Sequence, residues 1–167
     1  VDAVRVTYHY GASSEVGGGG YARTTPDDGF VQYRVGKAAP GMDSIGKAIA
    51  RWMADGSPNA IVEIQDNEVY EERLRLDIPA GASLTIRATS QRRPVVRLTE
   101  PLEVHAARAE AEGAGGSLVL DGLLITDRPM EISNGDLRLL ELTHCTLVPG
   151  LGLTPGRHLG MVAGNQD

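Results

Sequence analysis

The sequence predicts an all-β fold: a right-handed parallel β-helix of about four to five short coils, preceded by one N-terminal capping α-helix. Three observations lead there. Short apolar-x-apolar strands succeed one another from Ala60 onward, separated by Gly, Pro, Asp and Asn. Four of them, Val62-x-Ile64, Leu84-x-Ile86, Leu118-x-Leu120 and Leu140-x-Leu142, stand 22, 34 and 22 residues apart. Repetition at a fixed interval marks an architecture of stacked units. Every Phe, Trp and Tyr lies at or before Tyr70, so any core beyond that point packs on Leu, Ile and Val.

Residues 1–33 read as a strand and loop segment. Val4, Val6 and Tyr8 alternate with Arg5, Thr7 and His9, the period of a strand. Gly17-Gly18-Gly19-Gly20 interrupts it, Pro26-Asp27-Asp28-Gly29 suits a turn, and Phe30 to Val35 suits a second strand. Residues 34–59 form a linker and the capping helix. Asp43 or Ser44 suits its N-cap, and Ile45, Ile49, Trp52 and Met53 fall on one face. Gly56 and Pro58 end it.

Residues 60–150 hold the coils. A second set of apolar pairs comprises Leu74-x-Leu76, Val96-x-Leu98, Leu123-x-Ile125 and Cys145-x-Leu147. A third holds Leu102-x-Val104 and Met130-x-Ile132. The 34-residue interval contains Ala106 to Gly116, an Ala, Glu and Gly-rich stretch that reads as an exposed loop; without it the period stays near 22. An antiparallel sandwich also has short strands and frequent turns, but hairpins need no constant spacing. Residues 151–167 are a tail with no clear further coil.

A chain of 167 residues suffices for one domain with a real core, and 41% hydrophobic with 23% charged residues is an ordinary folded composition. No apolar run approaches the roughly 18–20 residues of a membrane helix, so a soluble protein without membrane contact is expected. No signal peptide opens this chain, and the compartment stays undetermined. Starting at Val1 and ending Gly164-Asn165-Gln166-Asp167, it reads as a piece of a larger protein. The net charge is −6 and the basic residues are scattered, which argues against nucleic acid. Arg92-Arg93 beside Pro94 reads as a solvated turn. The lone Cys145 excludes an internal disulfide.

Ser44-Ile45-Gly46-Lys47-Ala48-Ile49, then Ala60-Ile61-Val62-Glu63-Ile64 and Val69-Tyr70-Glu71-Glu72, resembles the opening of pectin-lyase-like right-handed parallel β-helices. There a capping helix precedes a strand, and a Gly-x-Tyr-x-Glu-like turn leads into the next; Glu68-Val69-Tyr70 departs at the glycine. Leu118 to Ile125, His144 to Gly150, and Tyr8-His9-Tyr10-Gly11 with the following glycines and Tyr21-x-Arg23 look like a group of uncharacterised bacterial β-helix proteins. Some of that group accompany phage-tail-like gene clusters. The resemblance covers most of the chain and implies a fold, but no established activity.

Candidate chemistry is sparse. Inverting glycosidases need aspartates that supply acid and base across the scissile bond, and Asn134-Gly135-Asp136 does not provide that set. The motifs of pectin methylesterases and pectate lyases are absent too. Asp121 and Asp127 form a conceivable carboxylate pair, although Asp121 before Gly122 suits a turn. His144 and Cys145 are neighbours on a strand and point to opposite faces, so they cannot serve as base and nucleophile together. Cys145 reads as an interior rung equivalent to Leu123. The Gly17–Gly20 run and Gly46-Lys47 lack the context of a phosphate cradle. The most site-like group is Tyr8, His9, Tyr10 and Tyr21, whose aromatic faces suit a sugar or a partner surface, and equally internal packing.

The reading is a non-catalytic β-helix module for assembly or surface recognition, with no cofactor or metal. Its expected partner is a second copy or another protein, met through the open C-terminal edge. The alternative is a polysaccharide-binding or polysaccharide-processing module of the pectin lyase or esterase kind, an inference by analogy of fold.

Overall fold

Alternating apolar and polar side chains make strands the commonest element among the described residues, which include one helix. The computed structural model describes residues 17–20, 22, 29–110, 114–133, 135–149, 151–153 and 159–161. Strand β1 (Val31–Val35) comes first, then helix α1 (Ile45–Ala54). Next are β2 (Ala60–Ile64), β3 (Val69–Glu72) and β4 (Arg75–Ile78). Then follow β5 (Ser83–Ala88), β6 (Val95–Leu98) and β7 (Leu102–Ala106). Another three are β8 (Gly116–Asp121), β9 (Leu124–Asp127) and β10 (Met130–Ile132). The sequence closes with β11 (Leu137–Thr143), β12 (Thr146–Pro149), and an antiparallel pair, β13 (Leu151–Leu153) with β14 (Leu159–Met161).

Strands three apart in this order lie side by side. The first sheet runs β1-β2-β5-β8-β11, the second β3-β6-β9-β12, and the third β4-β7-β10. Every pairing within these three sheets is parallel. Parallel neighbours need a long connection: α1 lies between β1 and β2, and each later connection passes through the other two sheets. From β2 to β12 the chain therefore visits first, second and third sheet in turn, once per circuit.

In β1 to β9 each strand buries apolar side chains on one face. Tyr33, Val62, Ile86 and Leu120 form one row across the first sheet, with Ala60, Leu84 and Leu118 beside it. Tyr70, Val96 and Ile125 form the row of the second sheet, and Leu76 and Val104 that of the third. Each fully buried aliphatic side chain is stabilised by roughly 1.5–3 kcal/mol. The three rows meet in one hydrophobic core.

Two details of the expected repeat are corrected. Val62 pairs with Ile86 and not with Leu84, so the first interval is 24 residues. Ala60 and Ala88 occupy inward positions there, and matching only the bulky residues slips the alignment by one dyad. The slip keeps every side chain on its face because the strand period is two. Leu84, Leu118 and Leu140 do align. Second, Leu74-x-Leu76 belongs with Leu102-x-Val104 and Met130-x-Ile132 in the third sheet. Its place in the second sheet is taken by Tyr70-x-Glu72. Glu72 breaks the apolar pattern because its carboxylate has a partner elsewhere.

That partner is the helix. Glu72 Oε1 accepts from Ile45 N at 2.9 Å and Oε2 from Gly46 N at 2.7 Å. Ser44 is the N-cap, its Oγ accepting from Lys47 N at 3.1 Å. The otherwise orphaned first-turn N–H groups are thus satisfied by two side chains. Ile45, Ala48, Ile49 and Trp52 are the buried face of α1, whereas Met53 is exposed. Trp52 Nε1 donates to Pro58 O at 2.7 Å, and Gly56, at φ +86°, ends the helix. The helix packs on β1, β2 and β3, while β1 itself runs across the boundary placed between residues 33 and 34. The expected loop between β7 and β8 is exposed at Ala107, Arg108, Glu110 and Ala114. No helix among the described residues is long and apolar enough to cross a membrane.

Candidate functional site

The inward rows end abruptly at the last circuit. Ile132, Leu142 and Leu147 continue the rows of the third, first and second sheets, in register with Val104, Leu120 and Ile125. Those three partners are at most 4% exposed. Ile132 is 47%, Leu142 39% and Leu147 44% exposed. β10, β11 and β12 are also the outermost strands of their sheets, so one hydrogen-bonding edge of each is unpaired within its sheet. Apolar side chains and strand edges are therefore presented together, the combination that favours pairing with another chain.

Polar side chains occupy the other face of each strand, and successive circuits bring them into rows. On the first sheet Arg34, Glu63, Arg87 and Asp121 are consecutive register partners. Glu63 and Arg87 are both buried, with Oε1 accepting from Nε at 3.0 Å and from Nη2 at 2.9 Å. At the end of this row Asp121 Oδ1 lies 2.8 Å from His144 Nδ1. On the second sheet Arg97 Nε donates to Asp127 Oδ2 at 2.8 Å and Nη1 to Glu71 at 3.4 Å, linking three circuits. The Asp127 hydrogen bond and charge raise the guanidinium pKa further above its ordinary value. Tyr70 lies beneath; burial and its hydrogen bond to Asp66 raise the phenol pKa well above the usual tyrosine range.

The third sheet carries a denser cluster. Ser133 follows β10 and stands opposite His105, 28 residues earlier, with Oγ 2.8 Å from His105 Nδ1. The other ring nitrogen, Nε2, is 3.5 Å from Glu103 Oε2 on the same strand. Glu103 also lies 3.8 Å from Arg73 and 3.9 Å from Arg75. Asp77, the register partner of His105, borders an open cavity of about 280 Å³ that Ile49, Met53 and Leu74 help to line.

The residues singled out in the sequence fare differently. Tyr8, His9, Tyr10 and Tyr21 lie outside the described residues. Asp121 and Asp127 are not a carboxylate pair, since Asp121 meets the His144 ring and Asp127 accepts from Arg97. His144 sits at a bend with φ +52°, and Cys145 beside it, between β11 and β12, is half-buried with Sγ donating to Leu120 O at 3.3 Å. Gly18 N donates to Thr146 Oγ1 at 2.8 Å, and a Cβ on Gly18 would come within 2.9 Å of Leu123 O. The glycine run is needed there for close approach, not for a phosphate. Gly46 N is taken by Glu72. Arg92 and Arg93 are exposed beside the turn at Gln91, and Asn67 Oδ1 accepts from Arg93 N at 2.7 Å. The Ser133–His105 pairing escaped sequence reading because Ser133 adjoins no motif and meets His105 only through the circuit register. Among the described residues no group of three or more His, Cys, Asp or Glu is arranged to hold a metal ion. No protein-family model, no curated protein and no solved structure matches this chain.

Proposed function

We propose that this chain is a right-handed parallel β-helix that serves assembly, docking through its last circuit onto a second copy of itself. The ordered return to three parallel sheets supports the winding. The observation that carries the function is the exposure of Ile132, Leu142 and Leu147 on three strands that, among the described residues, are the last of their sheets. A surface that pairs all three edges at once needs the same three-sided cross-section, and a second copy has it. Two copies related by a two-fold axis would meet end to end, their edge strands antiparallel. Solution mass by light scattering tests this. The native chain is expected to form a dimer, and Leu142→Asp with Leu147→Asp to form a monomer of unchanged circular dichroism. A native monomer at every concentration would contradict the reading.

A second reading has one observation in its favour. Glu71, Arg97 and Asp127 on the second sheet form an exposed polar ladder across three circuits, the kind that a polysaccharide-binding module presents. Binding to an acidic polysaccharide panel that is lost in Arg97→Ala would support it, and a monomer with that affinity would displace assembly as the function.

A further inference from the structure

Ser133, His105 and Glu103 form a hydrogen-bonded series that the assembly reading does not use. We propose that it is an acyl-transfer site, with Ser133 as nucleophile, His105 as general base and Glu103 as positioning residue, acting on simple carboxylic esters.

The argument starts from the ring. Nδ1 lies 2.8 Å from Ser133 Oγ, and Nε2 lies 3.5 Å from the Glu103 carboxylate. A carboxylate beside Nε2 favours the tautomer with its proton on that nitrogen, which leaves Nδ1 as an acceptor. The Ser133 hydroxyl then donates to Nδ1; its other acceptor, Val104 O, is farther at 3.3 Å. A hydroxyl paired with a neutral imidazole, itself oriented by a third group, is the arrangement that activates serine. The positions are fixed by the sheet. Ser133 N donates to Val104 O at 3.0 Å, continuing the β7–β10 register, so the hydroxyl and the ring stand on adjacent rungs. All three side chains lie on the face away from the core, and His105 and Glu103 are partly exposed. The cavity bordered by Asp77 lies two strands from Ser133, roughly 10 Å along the stack, so an acyl group on Ser133 stays outside it, and small unhindered esters are the substrates that the open face admits.

The chemistry balances with water as the only co-reactant. Ser133 Oγ bonds to the ester carbonyl carbon while its proton passes to His105 Nδ1. The carbon–oxygen bond to the alcohol breaks, and the departing oxygen takes the proton from Nδ1. Water, deprotonated by the same nitrogen, then attacks the acyl-serine and releases the carboxylic acid, restoring the hydroxyl.

p-Nitrophenyl acetate and p-nitrophenyl butyrate are the probes. The native chain is expected to release p-nitrophenol with a burst approaching one equivalent, and peptide mass spectrometry to find the acyl group on Ser133. Ser133→Ala abolishes the burst, and His105→Gln slows acylation on the order of 100-fold. In Glu103→Gln the ring-nitrogen NMR signals of His105 move toward the Nδ1-protonated tautomer, and Glu103→Asp restores them. Should Ser133→Ala fail to fold, Ser133→Cys keeps a nucleophile, and its alkylation by iodoacetamide must slow when His105→Gln is added. Acylation at other residues, a burst unchanged in Ser133→Ala, or equal alkylation rates would overturn the assignment.

Discussion

Tyr70 carries a hydroxyl into the stack, and Asp66 Oδ1 accepts from it at 2.8 Å. Its raised pKa fixes the sign of a pH effect. The folded state holds the phenol proton more tightly than the unfolded chain, whose tyrosines ionise near about 10. The contribution is therefore complete below about pH 10 and is lost as pH rises beyond it. Tyr70→Phe should lose about 1 kcal/mol at pH 8, the worth of the hydrogen bond, with the deficit shrinking as pH rises past about 10. Urea titrations at several pH values, followed by fluorescence of the buried Trp52, measure this. Glu63 and Arg87 set a second residue-scale expectation. Arg87→Met leaves a buried carboxylate without its guanidinium and should cost about 3–5 kcal/mol in the same titrations. Gly122 follows β8 at φ +75°, and His144 holds the equivalent position one circuit later at φ +52°. Gly122→Ala should cost about 1–2 kcal/mol, because a Cβ disfavours that backbone region.

Helix α1 depends on a residue outside itself. Glu72 accepts from two of its first-turn N–H groups, so helix and sheet are joined by charge-assisted hydrogen bonds. Glu72→Ala should destabilise the fold by about 1–3 kcal/mol, and hydrogen exchange at Ile45 and Gly46 should accelerate ahead of exchange in β5 and β8. The helix itself was legible: Ser44 caps it, and Ile45, Ile49 and Trp52 face the core as their spacing implies. Most strands were legible for the same reason, each being an apolar-x-apolar run bounded by turn residues. Register was less so. Ala60 and Ala88 do not stand out as core residues, and Glu72 is a charge at an inward position, so bulk alone assigns Val62 and Leu74 the wrong neighbours. The rows of polar residues were not legible at all, since His105 and Ser133 become neighbours only once the circuit length is known.

At the scale of the molecule the stack has two unlike ends. α1 packs on β1, β2 and β3 near one end, with Ile45, Ala48, Ile49 and Trp52 buried. At the other, three apolar rows run out at β10, β11 and β12 with their last members part-exposed. Parallel strands in register account for both the buried rows and their part-exposed last members. The most direct measurement is amide hydrogen exchange of β10, β11 and β12 as a function of protein concentration. In the proposed assembly the outward-facing amides of these edges become protected at high concentration, and lose that protection in the Leu142→Asp, Leu147→Asp variant. Exchange of those amides at the same unprotected rate in dilute and concentrated protein would contradict the account.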